Sequence, residues 1–216
     1  MLGSGQGGIV TRANRLAGCA AALILPFIPL AGSGQSVVVW SGGVAIETEA
    51  HVANQPRGGQ AWVFTNDTPG FSGTGVMRAL PDTGAVVTAN WTTDSPELSF
   101  TATLAAVTYY AWLRAYPTGS TDDSVHIGLN GQTNAGGGTV WTNYNAWQWT
   151  NRTAEGGVAT LVVSAAGPQT VNLWMREDGA RVDRIALSTN PDFKPRKGNA
   201  WHNPTGPRAS ASPSCC

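Results

Sequence analysis

Between residues 37 and 189, apolar side chains recur at every second position in short runs, and each run stops at Gly, Pro, Asn or Asp. A period of two sends successive side chains to opposite faces of an extended chain. The turn residues then end each run. No segment sustains an apolar period of 3.6 residues, which removes helical bundles from consideration. The pattern predicts strands over 44–50, 61–65, 75–79, 85–89, 97–104, 108–116, 124–129, 148–150, 158–164, 169–176 and 182–188. Strands this short and this regularly broken belong to an all-β chain, a jelly-roll β-sandwich. About 150 residues suffice for such a core.

The alternation assigns faces. Val125, Ile127 and Leu129 share one side of their strand. Tyr109, Ala111, Leu113 and Ala115 form one row, and Tyr110, Trp112, Arg114 and Tyr116 form the other. Val171, Leu173 and Met175 face inward, leaving Asn172, Trp174 and Arg176 outside. If those strands are neighbours, their outer rows make an aromatic, polar face; the alternative is a core with aromatics on both sides. The chain holds nine tryptophans. Exposed indoles suit sugar rings, whose C–H faces pack on flat aromatic surfaces.

Residues 1–36 read as a secretory signal outside the fold. Arg12 and Arg15 precede an apolar run over 16–30 that Pro26 and Pro29 interrupt, and small polar residues follow. Fifteen residues with two prolines are short for a membrane span. The expected product is a secreted, extracellular or cell-surface protein, with an uncleaved anchor as the alternative. The sandwich is expected over 37–190. Residues 191–216, rich in Pro and Ser, read as a flexible tail. Cys19 falls in the signal and Cys215 and Cys216 in the tail, so the sandwich holds no disulfide. The terminal pair offers a route to self-association. Net charge is zero and only 12% of residues are charged, which argues against a nucleic-acid partner.

The stretch from Trp174 to Thr189 reads as strand, charged turn, strand: a hairpin around Arg176, Glu177, Asp178 and Gly179. Asp183 shares parity with Ile185 and Leu187, so a regular strand would bury its carboxylate among them. Such a group needs a cation, a metal or several hydrogen bonds. Glu47 and Glu49 lie on the first expected strand and Asp183 on the last. A jelly roll can set those strands side by side. The three carboxylates could then hold a structural Ca²⁺, which takes six to eight oxygens, or pair with Arg181, Arg184 or Arg78. Among enzyme motifs, HExxH, CxxC and the P-loop are absent, and GFSGTG over 70–75 reads as a glycine turn rather than a nucleophile elbow. A glycosidase would need two carboxylates across a cleft, about 5 to 9.5 Å apart. A small sandwich seldom forms so deep a cleft.

Several segments together resemble the family 6 and family 35 carbohydrate-binding modules, as appended to agarases and other polysaccharide-degrading enzymes. AIETEA over 45–50 is similar to their opening, GFSGTGVMRALPD to their glycine-rich segment and YYAWLRAY to their Arg-ending strand. WQW over 147–149 resembles their tryptophan loop, and GARVDRIAL their closing strand. The resemblance implies a calcium-stabilised jelly roll with a non-catalytic polysaccharide site. Its calcium ligands fall on Glu47, Glu49 and Asp183. Its stacking tryptophan falls on Trp147, with Trp141, Tyr144 and Trp149 as neighbours. Trp174, Arg176, Glu177, Asp178 and Arg181 complete the expected ligand-binding set, because the last loop is where this chain departs from the family. A self-assembling extracellular subunit and a small polysaccharide-degrading enzyme are the two other readings.

Overall fold

The computed structural model describes Met1 and residues 37–133 and 138–196. The expected signal segment, and Trp201, His202, Cys215 and Cys216 of the expected tail, lie outside the described residues. Residues 37–196 fall within one compact unit, Ala31–Cys216.

The strands run β1 (Val37–Trp40), β2 (Gly43–Glu47), β3 (Ala53–Gln55), β4 (Ala61–Thr65), β5 (Val76–Leu80), β6 (Glu97–Leu104) and β7 (Thr108–Ala115). They continue as β8 (Ser124–Leu129), β9 (Gln132–Thr133), β10 (Thr139–Val140), β11 (Gln148–Thr150), β12 (Thr160–Val162), β13 (Gly167–Met175) and β14 (Arg181–Ser188). One helical turn, Trp91–Asp94, interrupts them. The first sheet is ordered β1-β2-β14-β5-β4; β7 lies on the other side of β14, and β11 and β12 line β7. The second is β10-β8-β13-β6-β3, with β9 beside β8. Neighbouring strands are antiparallel, and the all-β sandwich expected from the alternation is what forms.

The core lies between the sheets. Val44, Ile46, Leu113, Ile185 and Leu187 from the first sheet meet Leu98, Phe100, Ile127, Val171 and Leu173 from the second in one cluster. Each such side chain contributes about 1.5–3 kcal/mol by leaving water. The odd-even partner positions turn outward. Trp40, Ala45 and Ala186 form a separate small cluster, with Trp112, Trp149 and Phe193 packed on it. The outer face of the first sheet therefore carries the aromatic row that β7 was expected to present. Phe193 lies past the expected domain boundary, yet it stacks on Trp40 at 5.7 Å.

Three expectations need correcting. Residues 174–189 are not a hairpin: β13 belongs to the second sheet and β14 to the first, so the charged turn is a corner between sheets. Residues 85–89 form no strand, only a bridge from Val86 to Glu177. The first expected strand ends at Glu47, where a 3₁₀ turn over Thr48–Ala50 takes the chain away. The pairing of first and last strands does occur, from Gly43 opposite Ser188 to Glu47 opposite Arg184. Beside β7 the register slips between Val182 and Arg184, placing a β-bulge at Asp183. Val182 and Ile185 both reach the core across it. A bulge inserts one residue and re-aims its side chain.

Candidate functional site

Asp183 uses that bulge. It is fully buried, but its partners are polar: Arg114 Nη1 donates to its Oδ2 at 2.5 Å, and the Ser72 amide donates to its Oδ1 at 2.8 Å. The Ser72 hydroxyl bonds Asp183 Oδ2 at 3.0 Å and Glu47 Oε2 at 2.7 Å, joining two carboxylates through one oxygen. Arg184 pairs with Glu47 Oε1. Glu49 Oε1 accepts the Thr74 amide at 2.7 Å, whereas its Oε2 is buried without a hydrogen-bond partner. Burial pushes the Glu49 carboxyl above its ordinary range, and Asp183 adds to the rise. Burial likewise raises Asp183, against the pull of Arg114 and Ser72. The three residues expected to hold an ion do converge on the Gly70–Thr74 loop. Three carboxylates meet two guanidiniums there, which leaves one negative charge and an unpartnered oxygen on Glu49. Oxygens of that kind suit Ca²⁺, although among the described residues no group of three or more His, Cys, Asp or Glu side chains is arranged to hold a metal ion as it stands.

Arg114 connects this network to the aromatic face. Its Nη2 donates to the Gly70 carbonyl at 2.9 Å, and its guanidinium lies 4.8 Å from the Trp147 ring centroid. Trp147 Nε1 donates to the Pro69 carbonyl at 2.9 Å, and Tyr116 meets the ring edge-on at 5.3 Å. A Cβ on Gly70 would come within 2.9 Å of the indole, and φ is +102° there, so the contact requires glycine. Trp147 is thus held by a loop nearly eighty residues away in sequence. It borders a groove of about 530 Å³ on the outer face, lined by Trp112, Arg114, Gln148 and Trp149 from β7 and β11 and its approach, and closed by Lys194 and Pro195.

The remaining expected site residues divide. Trp149 joins the groove, and Tyr144 is 41% exposed on the adjoining loop, its hydroxyl 3.0 Å from Asp123 Oδ2. Trp141 and Trp174 are both fully buried, which overturns their expected place in a ligand site. Trp141 Nε1 bonds the Leu113 carbonyl inside the core. Trp174 stands on the second sheet, opposite His126 and Glu97, and has no surface to offer. The Arg176–Gly179 turn is also structural. Asp178 accepts the Thr83 amide, the Thr83 hydroxyl, the Gly84 amide and Gln60 Nε2. Burial pushes its carboxyl up, but those amides more than offset it and the net direction is down. Glu177 accepts from the Asp123 amide and Arg176, and Arg181 lies 3.7 Å from Asp122. None of these four lines the groove around Trp147.

Contributors not picked out as site residues in the sequence include Ser72, Arg114 and Lys194. The strand parity that set Arg114 beside Trp112 was a usable signal for one of them. Ser72 sits in what reads only as a glycine turn, and Lys194 in what reads as tail.

The fold is a β-sandwich of the carbohydrate-binding-module type. The chain belongs to the glycosyl hydrolase family 115 C-terminal domain family, whose model matches residues 38–195. It is 38% identical over 96 residues to Uncharacterized protein P23 of Formosa agariphila, covering 40% of this chain and 23% of that protein. The chain therefore spans about a quarter of the length of that relative. Among solved structures it is similar to the Podospora anserina GH26-CBM35 β-(1,4)-mannanase: TM-score 0.50, 16% identity, 72% of this chain and 29% of that one. A family 35 carbohydrate-binding module from an environmental isolate superposes with TM-score 0.46 and 19% identity over 70% of this chain and 94% of the module. The resemblance to such modules read from the sequence is borne out.

Proposed function

We propose that this domain is a secreted, non-catalytic polysaccharide-binding module whose glycan covers Trp147 in the outer-face groove. The observation that carries the reading is the held indole: Trp147 is fixed by Arg114, Tyr116 and Pro69 and borders a groove that Trp112 and Trp149 continue. A sugar ring laid on that strip removes C–H surface from water, and Gln148, whose amide is paired with Asn143, lines the strip beside it. Affinity for a shallow site of this kind is roughly micromolar to millimolar, about 4 to 8 kcal/mol. The carboxylates of these loops support binding rather than hydrolysis: Asp183 is engaged by Arg114 and Ser72, and Asp123 by Tyr144.

Titration calorimetry against a panel of plant and algal polysaccharides tests the reading. Trp147→Ala should weaken the binding found by about 2 kcal/mol, roughly thirtyfold, as loss of a central aromatic anchor does. Binding that is unchanged in the variant sinks the site; release of reducing ends or unsaturated products sinks the non-catalytic assignment. Glu47, Glu49 and Asp183 would hold the structural Ca²⁺, which would neutralise the charge left at Glu49. Chelator should then lower the melting temperature by several degrees, and Glu49→Gln should remove that sensitivity. A melting temperature that ignores chelator counts against the ion.

A further inference from the structure

The loop that seats Trp147 is itself seated on buried carboxylates. It runs from Pro69 to Thr74, between β4 and β5. Its first two residues meet the indole. The Pro69 carbonyl accepts Trp147 Nε1 at 2.9 Å, and Gly70 lies against the ring with its own carbonyl bonded to Arg114 at 2.9 Å. Its last three residues meet the carboxylates. Ser72, only 5% exposed, donates its amide to Asp183 Oδ1 at 2.8 Å, and its hydroxyl lies 2.7 Å from Glu47 Oε2 and 3.0 Å from Asp183 Oδ2. The Thr74 amide donates to Glu49 Oε1 at 2.7 Å, and a Cβ on Gly73 would collide with that carboxylate. Phe71 alone separates the two sets of contacts. Two residues span at most about 7 Å, so a displacement at Ser72 has no slack in which to dissipate before it reaches Gly70 and Pro69. Arg114 closes the circuit, with Nη1 on Asp183 Oδ2 and its guanidinium against the indole.

We propose that Ser72 is a positioning residue for Trp147: it fixes the Pro69–Gly70 seat to Glu47 and Asp183, and through that seat it sets the affinity of the indole for its ligand without touching the ligand. Arg114 lies against a face of the ring, but the ring's edge is aimed by the hydrogen bond from Nε1, whose N–H···O angle prefers to exceed 150°. A Pro69 carbonyl that moves with its loop takes that edge with it. The serine of GFSGTG thereby gains a task that a plain glycine turn does not have. Losing its hydroxyl removes the partner of Glu47 Oε2 and the second contact to Asp183, and leaves only the amide bond to hold the loop down. A buried acceptor deprived of its donor is unfavourable, so the loop relaxes away from the arrangement that seats the indole. The effect on affinity rests on the function proposed above; the setting of the indole does not.

The test uses the full chain, Ser72→Ala and, as the conservative partner, Ser72→Thr. The first readout needs no ligand. The Trp147 indole N–H resonance, assigned by its loss in Trp147→Phe, should shift in Ser72→Ala and exchange faster with water, and Ser72→Thr should restore much of both. An unchanged resonance and exchange rate in a folded Ser72→Ala protein overturn the positioning role. The second readout needs no variant, and so survives one that fails to fold. In the unmutated protein the Trp147 Nε1–H and the Ser72 and Thr74 amides should exchange through one opening, with the same dependence on urea. Different urea slopes for the indole and the two amides overturn the coupling. The third is the dissociation constant for whichever polysaccharide the panel identifies. Ser72→Ala should raise it about tenfold, within the range for residues that modulate a site from outside it, and Ser72→Thr should bring it back toward the parent. Equal affinity in parent and Ser72→Ala overturns the effect on binding. The two readings fail separately. A shifted indole with no polysaccharide bound by any of the proteins sinks the binding function and keeps the positioning. An unshifted indole with good binding does the reverse.

Discussion

Arg114 touches three groups that stand far apart in sequence: the Asp183 carboxylate, the Gly70 carbonyl and the Trp147 ring. Replacing it with leucine strands a buried carboxylate, a change that costs about 3–5 kcal/mol when a buried pair is broken. Urea unfolding should show that loss, and a much smaller one would mean Asp183 finds another partner. Arg114→Lys keeps the charge but cannot serve carboxylate, carbonyl and ring at once. It should weaken glycan binding more than it weakens the fold. Titration gives a second prediction at this scale. Burial pushes His126 down to about 4 from 6.5, so the stability it contributes is present above pH 6.5 and lost as pH falls toward 4. Burial, with Glu177 nearby, pushes Asp123 up to about 6 from 3.8, so its contribution is present below pH 3.8 and lost as pH rises through 6. The two slopes oppose each other over nearly the same window. Relative to the parent, Asp123→Asn should lose stability on acidification from pH 6 to 4, and His126→Gln should gain it. Parallel curves for both variants would refute the assignment.

Among the elements, the corner between β13 and β14 shows how far sequence reasoning reaches. Its residues read as an exposed charged turn, yet Glu177 and Asp178 are buried because they satisfy the backbone of segments that cover the second sheet. Turn chemistry does not say whether the chain returns to its own sheet or crosses to the other; that is decided by which sheet the next strand completes. Asp178→Ala should cost about 1–3 kcal/mol by leaving buried donors unpaired. Hydrogen exchange at the Thr83 and Gly84 amides should accelerate, and exchange that stays slow there would deny the clamp. Four strands were legible to the residue, 61–65, 97–104, 124–129 and 148–150, whereas 108–116 and 169–176, with their clean alternation, were legible in place but not at their ends. β1 reads VVVW, apolar throughout, and carries no period; β9 and β10 have two residues each and exist only through their neighbours. Tryptophan identity was equally silent on exposure. Trp141 and Trp147 lie six residues apart, one sealed in the core and the other on the face, and what separates them is contact with Leu113 in one case and Gly70 in the other.

For the molecule as a whole, a single core cluster draws on both sheets, and the first and last strands of the sandwich are paired. Neither sheet can lose its partner without exposing that cluster. Thermal unfolding of the sandwich should therefore follow one cooperative transition, with fluorescence and circular dichroism giving the same midpoint. Separate midpoints would mean that the sheets are independent. The fixed setting of Trp147 has a thermodynamic corollary. Its rotamer is chosen during folding, by Pro69, Arg114 and Tyr116 together. A ligand arriving on that ring has little side-chain entropy left to quench, and immobilising a free side chain otherwise costs about 0.5–1.5 kcal/mol. The surface is preorganised, and the counterpart of that economy is selectivity by shape: an indole that does not tilt accepts only partners that present a flat face at the angle it already holds.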